Sequence, residues 1–280
     1  MASCAICGVD ARLWRVVDGY EYFDCDGCGS IAISSDSLAL VDAGNFPRNY
    51  DPSYWEMENS AARQRSWGPS LARLAEAMLY NRRRVRRFID IGSGPGYLLD
   101  ALSTYLPSKS KDHFFAVEKY PPAQHTAHPG YVIGDISEVS GKFDGGVCIE
   151  VLEHLTPRML DMLLSGLAKK SEPEALYVFN TGLPNYVKNE DPSYMDPLMR
   201  GHIISWGWGA LGAIFGKHGF KVLPIGNKSF AFAAEYQSVD EMPLTDRIWT
   251  APQENRNLMT DPVMGEVMFI LGLESARAYA

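Results

Sequence analysis

Ten consecutive residues constrain this chain more than any other stretch: Phe88-Ile-Asp90-Ile-Gly92-Ser93-Gly94-Pro95-Gly96-Tyr97. An apolar, strand-like run passes an acid, turns through three alternating glycines and enters a helical pattern. Glycine lets backbone approach a ligand closely, and the strand–turn–helix setting separates this turn from a chance glycine cluster. The spacing G-x-G-x-G differs from the dinucleotide fingerprint G-x-G-x-x-G, and G-x-x-x-x-G-K-[ST] is absent. Asp90, two positions before the first glycine, suits a ligand with an ammonium or sulfonium group better than a pyrophosphate. Its plain alternative is a cap for the following helix, although Pro95 already sits well for an N-terminal helix position.

Around this turn, strand-like and helical patterns alternate. Leu71, Leu74, Ala75, Met78 and Leu79 give helical spacing within residues 61–83. Strands are expected at Arg87–Ile91, His113–Val117, Tyr131–Ile133, Phe143–Ile149, Ala175–Asn180 and Phe220–Ile225. Helices are expected at Tyr97–Leu106, Arg158–Lys169 and Trp206–His218. Such alternation predicts an α/β fold, a doubly wound, mostly parallel sheet with helices on both faces. Ser229–Ala234 and Glu266–Leu273 compete for the last strand, and the polar, proline-containing stretch 237–265 between them reads as an irregular insertion or lid. The expected organisation is a small module at 1–34, a connector and helical lid at 35–83 (with the aromatics Tyr50, Tyr54 and Trp55), and one large domain at 84–280.

The first 28 residues hold four of the five cysteines, as Cys4-Ala-Ile-Cys7-Gly8 and Cys25-Asp-Gly-Cys28-Gly29. Each C-x-x-C turn can present two thiolates to one ion, and the trailing glycine permits the tight turn. Leu13–Val17 and Tyr20–Phe23 flank Asp18-Gly19, a hairpin signal. The spacing predicts a zinc ribbon with a closed, structural Cys4, Cys7, Cys25, Cys28 site. Two disulfides or a redox C-x-x-C are the alternatives; the first is disfavoured inside cells, and the second would not need a matching pair. Cys148, in an expected buried strand, reads as a small core residue.

The glycine turn and the segments C-terminal to it resemble the class I S-adenosylmethionine-dependent methyltransferases over about residues 86–225. Asp90 to Tyr97 matches their first motif, Glu118 ends strand two, Asp135-Ile136 comes after strand three, and Phe143–Leu155 matches the fourth. The resemblance implies a seven-stranded, Rossmann-like methyltransferase fold. It implies donor contacts from Asp90, Gly92, Ser93, Gly94, Gly96, Tyr97, Glu118 (ribose), Asp135 and Ile136 (adenine) and Glu150. Where members usually place a helix between strands two and three, Tyr120–Gly130 is short and carries Pro121, Pro122 and Pro129.

Glu150-x-x-Glu153-His154, with His202 further on, resembles the E-x-x-E-H plus distal histidine of small-RNA 3′-terminal 2′-O-methyltransferases. The ubiquinone-pathway O-methyltransferases carry a similar segment. This implies a Mg²⁺ or Mn²⁺ ion at Glu150, Glu153, His154 and His202 that lowers the pKa of an acceptor hydroxyl, with a histidine taking the proton. The alternatives are a histidine base without metal, or a purely structural role. Asp51-Pro-Ser-Tyr54 and Asp191-Pro-Ser-Tyr194 look like the amine-methylase [DN]-P-P-[YF], but neither lies at the end of strand four. The ribbon followed by this domain also resembles bacterial methyltransferases of sugar and secondary-metabolite pathways. The resemblance therefore implies O-methylation of a sugar, nucleotide sugar or hydroxylated metabolite, with Tyr186 and Tyr194 as substrate-wall residues. Sugar C-methylation and an RNA methyltransferase using the ribbon for nucleic acid are the competing readings, and a non-catalytic donor-binding protein is a third.

Charge bears on that choice. With 26 Lys plus Arg against 34 Asp plus Glu, the net charge is −8, which disfavours a nucleic-acid partner. The one cationic cluster, Arg82, Arg83, Arg84, Arg86 and Arg87, is either a phosphate clamp or a solvated helix C-terminus. Arg63 and Arg65, with Tyr54, are expected near the donor's methionine part. The N-terminus lacks a secretory pattern and no apolar run approaches a membrane span, so a soluble, cytoplasmic protein is expected.

Overall fold

The computed structural model describes residues 2–47, 52–107, 110–239 and 242–270. Among them the strands in chain order are β1 (Ala2–Ser3), β2 (Asp10–Val17), β3 (Tyr20–Asp24), β4 (Ile31–Ile33), β5 (Phe88–Ile91), β6 (Phe114–Glu118), β7 (Tyr131–Ile133), β8 (Phe143–Ile149), β9 (Ser171–Asn180), β10 (Ile204–Ser205), β11 (Phe220–Pro224) and β12 (Ala231–Tyr236). They form a five-stranded sheet, β1-β2-β3-β4-β10, and a seven-stranded sheet, β11-β12-β9-β8-β5-β6-β7. The second is the doubly wound sheet that the alternation predicts. No described helix is long and apolar enough to cross a membrane.

The chain divides into two compact units. One comprises residues 50–149, 166–179 and 233–280. Its β5 pairs in parallel with β6 on one side and β8 on the other. The winding therefore reverses at β5, which makes its carboxyl end the switch point where ligands bind in such sheets. β5 is buried throughout, and β8 nearly so. Two glycines in β8 have a packing reason: a Cβ on Gly146 would lie 2.3 Å from the Ile89 carbonyl oxygen, and one on Gly145 would lie 2.7 Å from that of Leu176.

The arginine run lies in this unit, beyond a helix that ends at Leu79 rather than at the helix terminus itself. Arg82 pairs with Glu174 at 2.9 Å and with the fully buried Glu235 at 3.1 Å. Arg83 donates to the Pro173 carbonyl, Arg84 pairs with Glu254, and Arg87 lies 4.0 Å over the Phe115 ring. These cations hold the unit's own elements together.

The expectation of an irregular insertion is corrected here. Residues 237–265 contain the helices Leu244–Thr250 and Gln253–Met259 and lead into Pro262–Ile270. Pro243, Pro252 and Pro262 stand at or just before the three helix starts, where proline is preorganised; helices this short are below what periodicity resolves. Asn255 docks the second, accepting from Val85 N and donating to the Met78 and Arg83 carbonyls. Of the two last-strand candidates, the first falls in β12. Glu266–Ile270 is helical, and residues 271–273 lie outside the described residues, as do Tyr50 and Asp51.

The other unit comprises residues 1–49, 150–165 and 180–232. The hairpin of β2 and β3 turns at Asp18 and Gly19, with φ of 50° and 83°, the pair of positive values a two-residue hairpin turn requires. The two cysteine turns match: Gly8 N donates to Cys4 O, and Gly29 N to Cys25 O, both glycines at φ 75°. The ribbon sheet does not stop at residue 34. β10 joins it, with Ile204 opposite Ala32 and Ser205 opposite Ile31.

Candidate functional site

The glycine turn is a closed cradle. Gly92, Gly94 and Gly96 all have positive φ. Gly92 N and Ser93 N donate to the Val117 carbonyl, and Gly94 N donates to Glu118 Oε2 at 2.8 Å. Glu118 Oε1 accepts from Tyr120 N at 2.8 Å, so both oxygens of the strand-two acid are tied to backbone. The helixless segment after it folds back onto the turn: Thr126 N donates to Pro95 O and Thr126 Oγ1 to Asp100 at 2.6 Å, while Tyr131 OH bonds the Gly94 carbonyl. A Cβ on Gly96 would lie 2.3 Å from Thr126 Cγ2.

Asp90 is buried at the end of this cradle. Desolvation, and then the charge of Glu118, push its pKa up to about 7. Asp135 forms an exposed ion pair with Lys119 at 3.1 Å, and Ile136 beside it is buried. Tyr97 OH donates to Asn59, and Arg63 lies over its ring. Trp55, which the sequence marks only as part of an aromatic cluster, lies with a ring carbon 3.1 Å from where a Gly94 Cβ would be. Ser93 Oγ and Trp55 Nε1 are buried without a hydrogen-bond partner among the described residues. Two unpaired donors at a glycine turn fit acceptor atoms on a ligand, and the buried carboxyl beside them fits a cationic group on the same ligand.

The second candidate site lies in the other unit and brings together three of the four expected residues. Glu153 is fully buried. His154 Nε2 is 3.9 Å and His202 Nε2 3.8 Å from its Oε1. His154 Nδ1 meets the Gly201 carbonyl at 2.9 Å, and His202 Nδ1 meets the Tyr194 carbonyl at 2.7 Å. A carbonyl only accepts, so each Nδ1 carries the proton, and in the neutral ring Nε2 turns a lone pair toward Glu153. Neither Glu153 oxygen makes a hydrogen bond of ordinary geometry among the described residues, although its own backbone N–H and the Thr181 hydroxyl come close enough to favour the carboxylate, and Glu150 comes close enough to disfavour it. Burial, then the negative charge of Glu150, holds its pKa well above the usual carboxylate range.

Glu150 falls outside this convergence, a correction to the four-ligand expectation. Its carboxylate accepts from Asn180 Nδ2 at 2.7 Å and from Tyr194 OH at 3.2 Å, and its backbone is held at φ 54°. Tyr194 is a strut rather than an exposed wall residue. It is buried, and its hydroxyl also accepts from Gly182 N at 2.9 Å. A Cβ on Gly182 would lie 2.5 Å from its ring. Tyr186 is part-exposed and packs edge-on against it. Nothing in the sequence marks Asn180 or the Gly201 and Tyr194 carbonyls, because backbone acceptors leave no trace in residue type.

The four ribbon sulfurs all lie within 4.8 Å of one another, with Cys4–Cys28 at 3.8 Å and Cys7–Cys25 at 3.5 Å, and the cysteines are free rather than disulfide-bonded. A tetrahedral zinc with Zn–S bonds of about 2.3 Å needs sulfurs about 3.8 Å apart. Burial raises the Cys4 thiol to about 12 and pushes Cys28 up as well, while a backbone hydrogen bond at Val9 lowers the exposed Cys7, so thiolates at the two buried positions call for a cation. The set fits zinc.

Against known proteins, the family described as "Methyltransferase domain" matches residues 60–225. No curated protein matches. Among solved structures, an O-methyltransferase family protein from Burkholderia thailandensis is similar at TM-score 0.48 and 13% identity, covering 67% of this chain and 60% of that one. Streptomyces venezuelae DesVI is similar at TM-score 0.46 and 13% identity, covering 67% and 99%. CalS10, an amino pentose methyltransferase from Micromonospora echinaspora, gives 0.43 and 15%, covering 67% and 98%. The assignment rests on the family match, which takes in the glycine turn, the strand-two acid and the Glu153 segment together: the chain belongs to the methyltransferase domain family and is a methyltransferase.

Proposed function

We propose that this protein transfers the methyl group of S-adenosylmethionine to a hydroxyl of a sugar, nucleotide sugar or other small hydroxylated metabolite. One observation carries the acceptor chemistry: a fully buried carboxyl faced at 3.9 and 3.8 Å by two imidazole Nε2 atoms whose tautomers backbone carbonyls dictate. Methylating a hydroxyl requires removing its proton, and His154 or His202 is poised to accept it at Nε2. Asp90 faces the donor's ammonium, Ser93 Oγ and Trp55 Nε1 supply the missing donors at the turn, and Asp135 and Ile136 border the adenine. Glu118 holds the turn in shape through Gly94 N.

Glu153, His154 and His202 would also hold a divalent cation, and two imidazoles beside one carboxylate suit Mn²⁺ better than Mg²⁺. Such an ion would supply Lewis-acid activation of the acceptor hydroxyl. The four cysteines hold zinc in a structural role. A small-molecule acceptor is favoured over RNA because both ribbon arginines are engaged: Arg12 pairs with Asp26 at 2.9 Å, and Arg15 donates to the Pro192 carbonyl at 2.8 Å.

The test is mass spectrometry of a panel of sugars and sugar nucleotides incubated with protein and donor, repeated with chelator and with added Mn²⁺. A gain of one methyl on a hydroxyl is expected, stimulated by Mn²⁺. Methylation of RNA but of no small molecule would overturn the acceptor reading. Full activity in excess chelator with the ribbon zinc retained would overturn the cation.

A further inference from the structure

The ribbon and the Glu153–His154–His202 cluster are mechanically one object. Tyr22, in β3, is fully buried, and its hydroxyl donates to the backbone carbonyl of His202 at 2.7 Å. Ile33 N donates to Ile203 O at 3.0 Å, and Ile203 N donates to Glu153 O at 2.8 Å. β10 comes next in the chain, paired to β4. Two residues further, Gly207 N donates to Ser30 Oγ at 2.8 Å, and a Cβ on Gly207 would lie 2.2 Å from the Gly29 carbonyl carbon. Ala210 N reaches the Cys28 carbonyl. Residues 202–210 are thus strapped at one end to the ribbon's strands and at the other to its second cysteine turn.

We infer that the ribbon positions His202, with Tyr22 as the positioning residue and the four-cysteine site setting the strap. Three features support this over a merely appended module. The hydroxyl of Tyr22 is spent on one backbone atom of the histidine. The same segment that carries His202 toward Glu153 completes the ribbon sheet. The segment's glycine at 207 admits the cysteine turn so closely that no side chain fits. Groups that orient a ligand from behind tune its affinity for a metal, by about 10- to 100-fold when they are removed. The inference rests on the reading of His202 as part of the proton- and cation-binding cluster.

The experiment uses the full chain, zinc-loaded, as wild type, Tyr22→Phe, Ser30→Ala and His202→Ala. Zinc content, melting temperature, Mn²⁺ affinity, kcat and the donor KM are measured for each. Tyr22→Phe is expected to keep one zinc per chain and the wild-type donor KM, while Mn²⁺ affinity and kcat each fall about tenfold. Ser30→Ala, which loosens the other end of the strap, should move the same two quantities by a smaller factor and serves if Tyr22→Phe fails to fold. Wild-type kcat and Mn²⁺ affinity in the folded strap variants, with both lost in His202→Ala, would overturn the inference and leave the site reading standing. Wild-type values in His202→Ala would overturn both.

Discussion

The two candidate sites solve opposite problems. At the glycine turn the backbone and the flanking acids are tied internally: Glu118, Asp100, the Gly94 carbonyl and the backbone N–H groups of Gly92, Ser93 and Gly94 all have partners within one unit, and only Ser93 Oγ and Trp55 Nε1 are left over among the described residues there. At the Glu153 cluster the protein buries a carboxyl that has no hydrogen bond of ordinary geometry among the described residues. A cradle must hold its shape before the ligand arrives, so internal bonds serve it. A buried carboxyl held this loosely costs stability, a cost that the proposed proton- or cation-accepting role would explain.

The sharpest way to break that contrast is at Glu153. Glu153→Gln keeps the shape and removes the acid. Methyl transfer should fall by about 10²- to 10⁴-fold, the range typical of a lost proton-handling group, while the melting temperature rises, because a poorly solvated carboxyl no longer has to stay buried. Lower activity with lower stability would mean the cluster is an ordinary structural network.

The turn should respond in the reverse sense. Gly96→Ala meets Thr126 and a φ of 79°, so both stability and donor affinity should drop, by about 1–3 kcal/mol in unfolding experiments. Gly216→Ala, in the helix Trp208–Lys217 with nothing within 4 Å, should instead stabilise by about 0.5–1 kcal/mol. Equal effects from the two would remove the claim that the turn's glycines are dictated by close packing.

The turn also carries a pH dependence. Asp90 has its pKa raised from 3.8 to about 7. The folded chain therefore holds this proton where the unfolded chain has lost it, and stability falls as pH rises through that interval. Asp90→Asn should flatten that fall between about pH 4 and 7, seen as a convergence of melting temperatures at low pH and a gain over wild type near neutrality. The same variant should bind the donor more weakly. Parallel wild-type and variant curves would show that Asp90 is not held in this way.

Local sites were legible in the sequence and assembled ones only in part. The glycine turn, the Asp18-Gly19 hairpin and both cysteine turns are each written within a short run of neighbours, where propensity and spacing suffice. Glu153 and His154 could be named because they are adjacent, and His202 only through a resemblance. That Glu150 would be taken by Asn180 and Tyr194 depends on contacts 30 and 44 residues away. The helices after Pro243 escaped because seven residues of mixed polarity carry no usable period.

β10 has a consequence for protein engineering. Two residues from late in the chain finish the N-terminal sheet, so the ribbon is not a cassette. Deleting residues 1–34, or grafting the ribbon of a relative, would strip the segment that presents His202 of its neighbour strand. An exchange that keeps this sheet intact has to carry residues 202–210 with the cysteines, and shuffling between homologues should respect that seam.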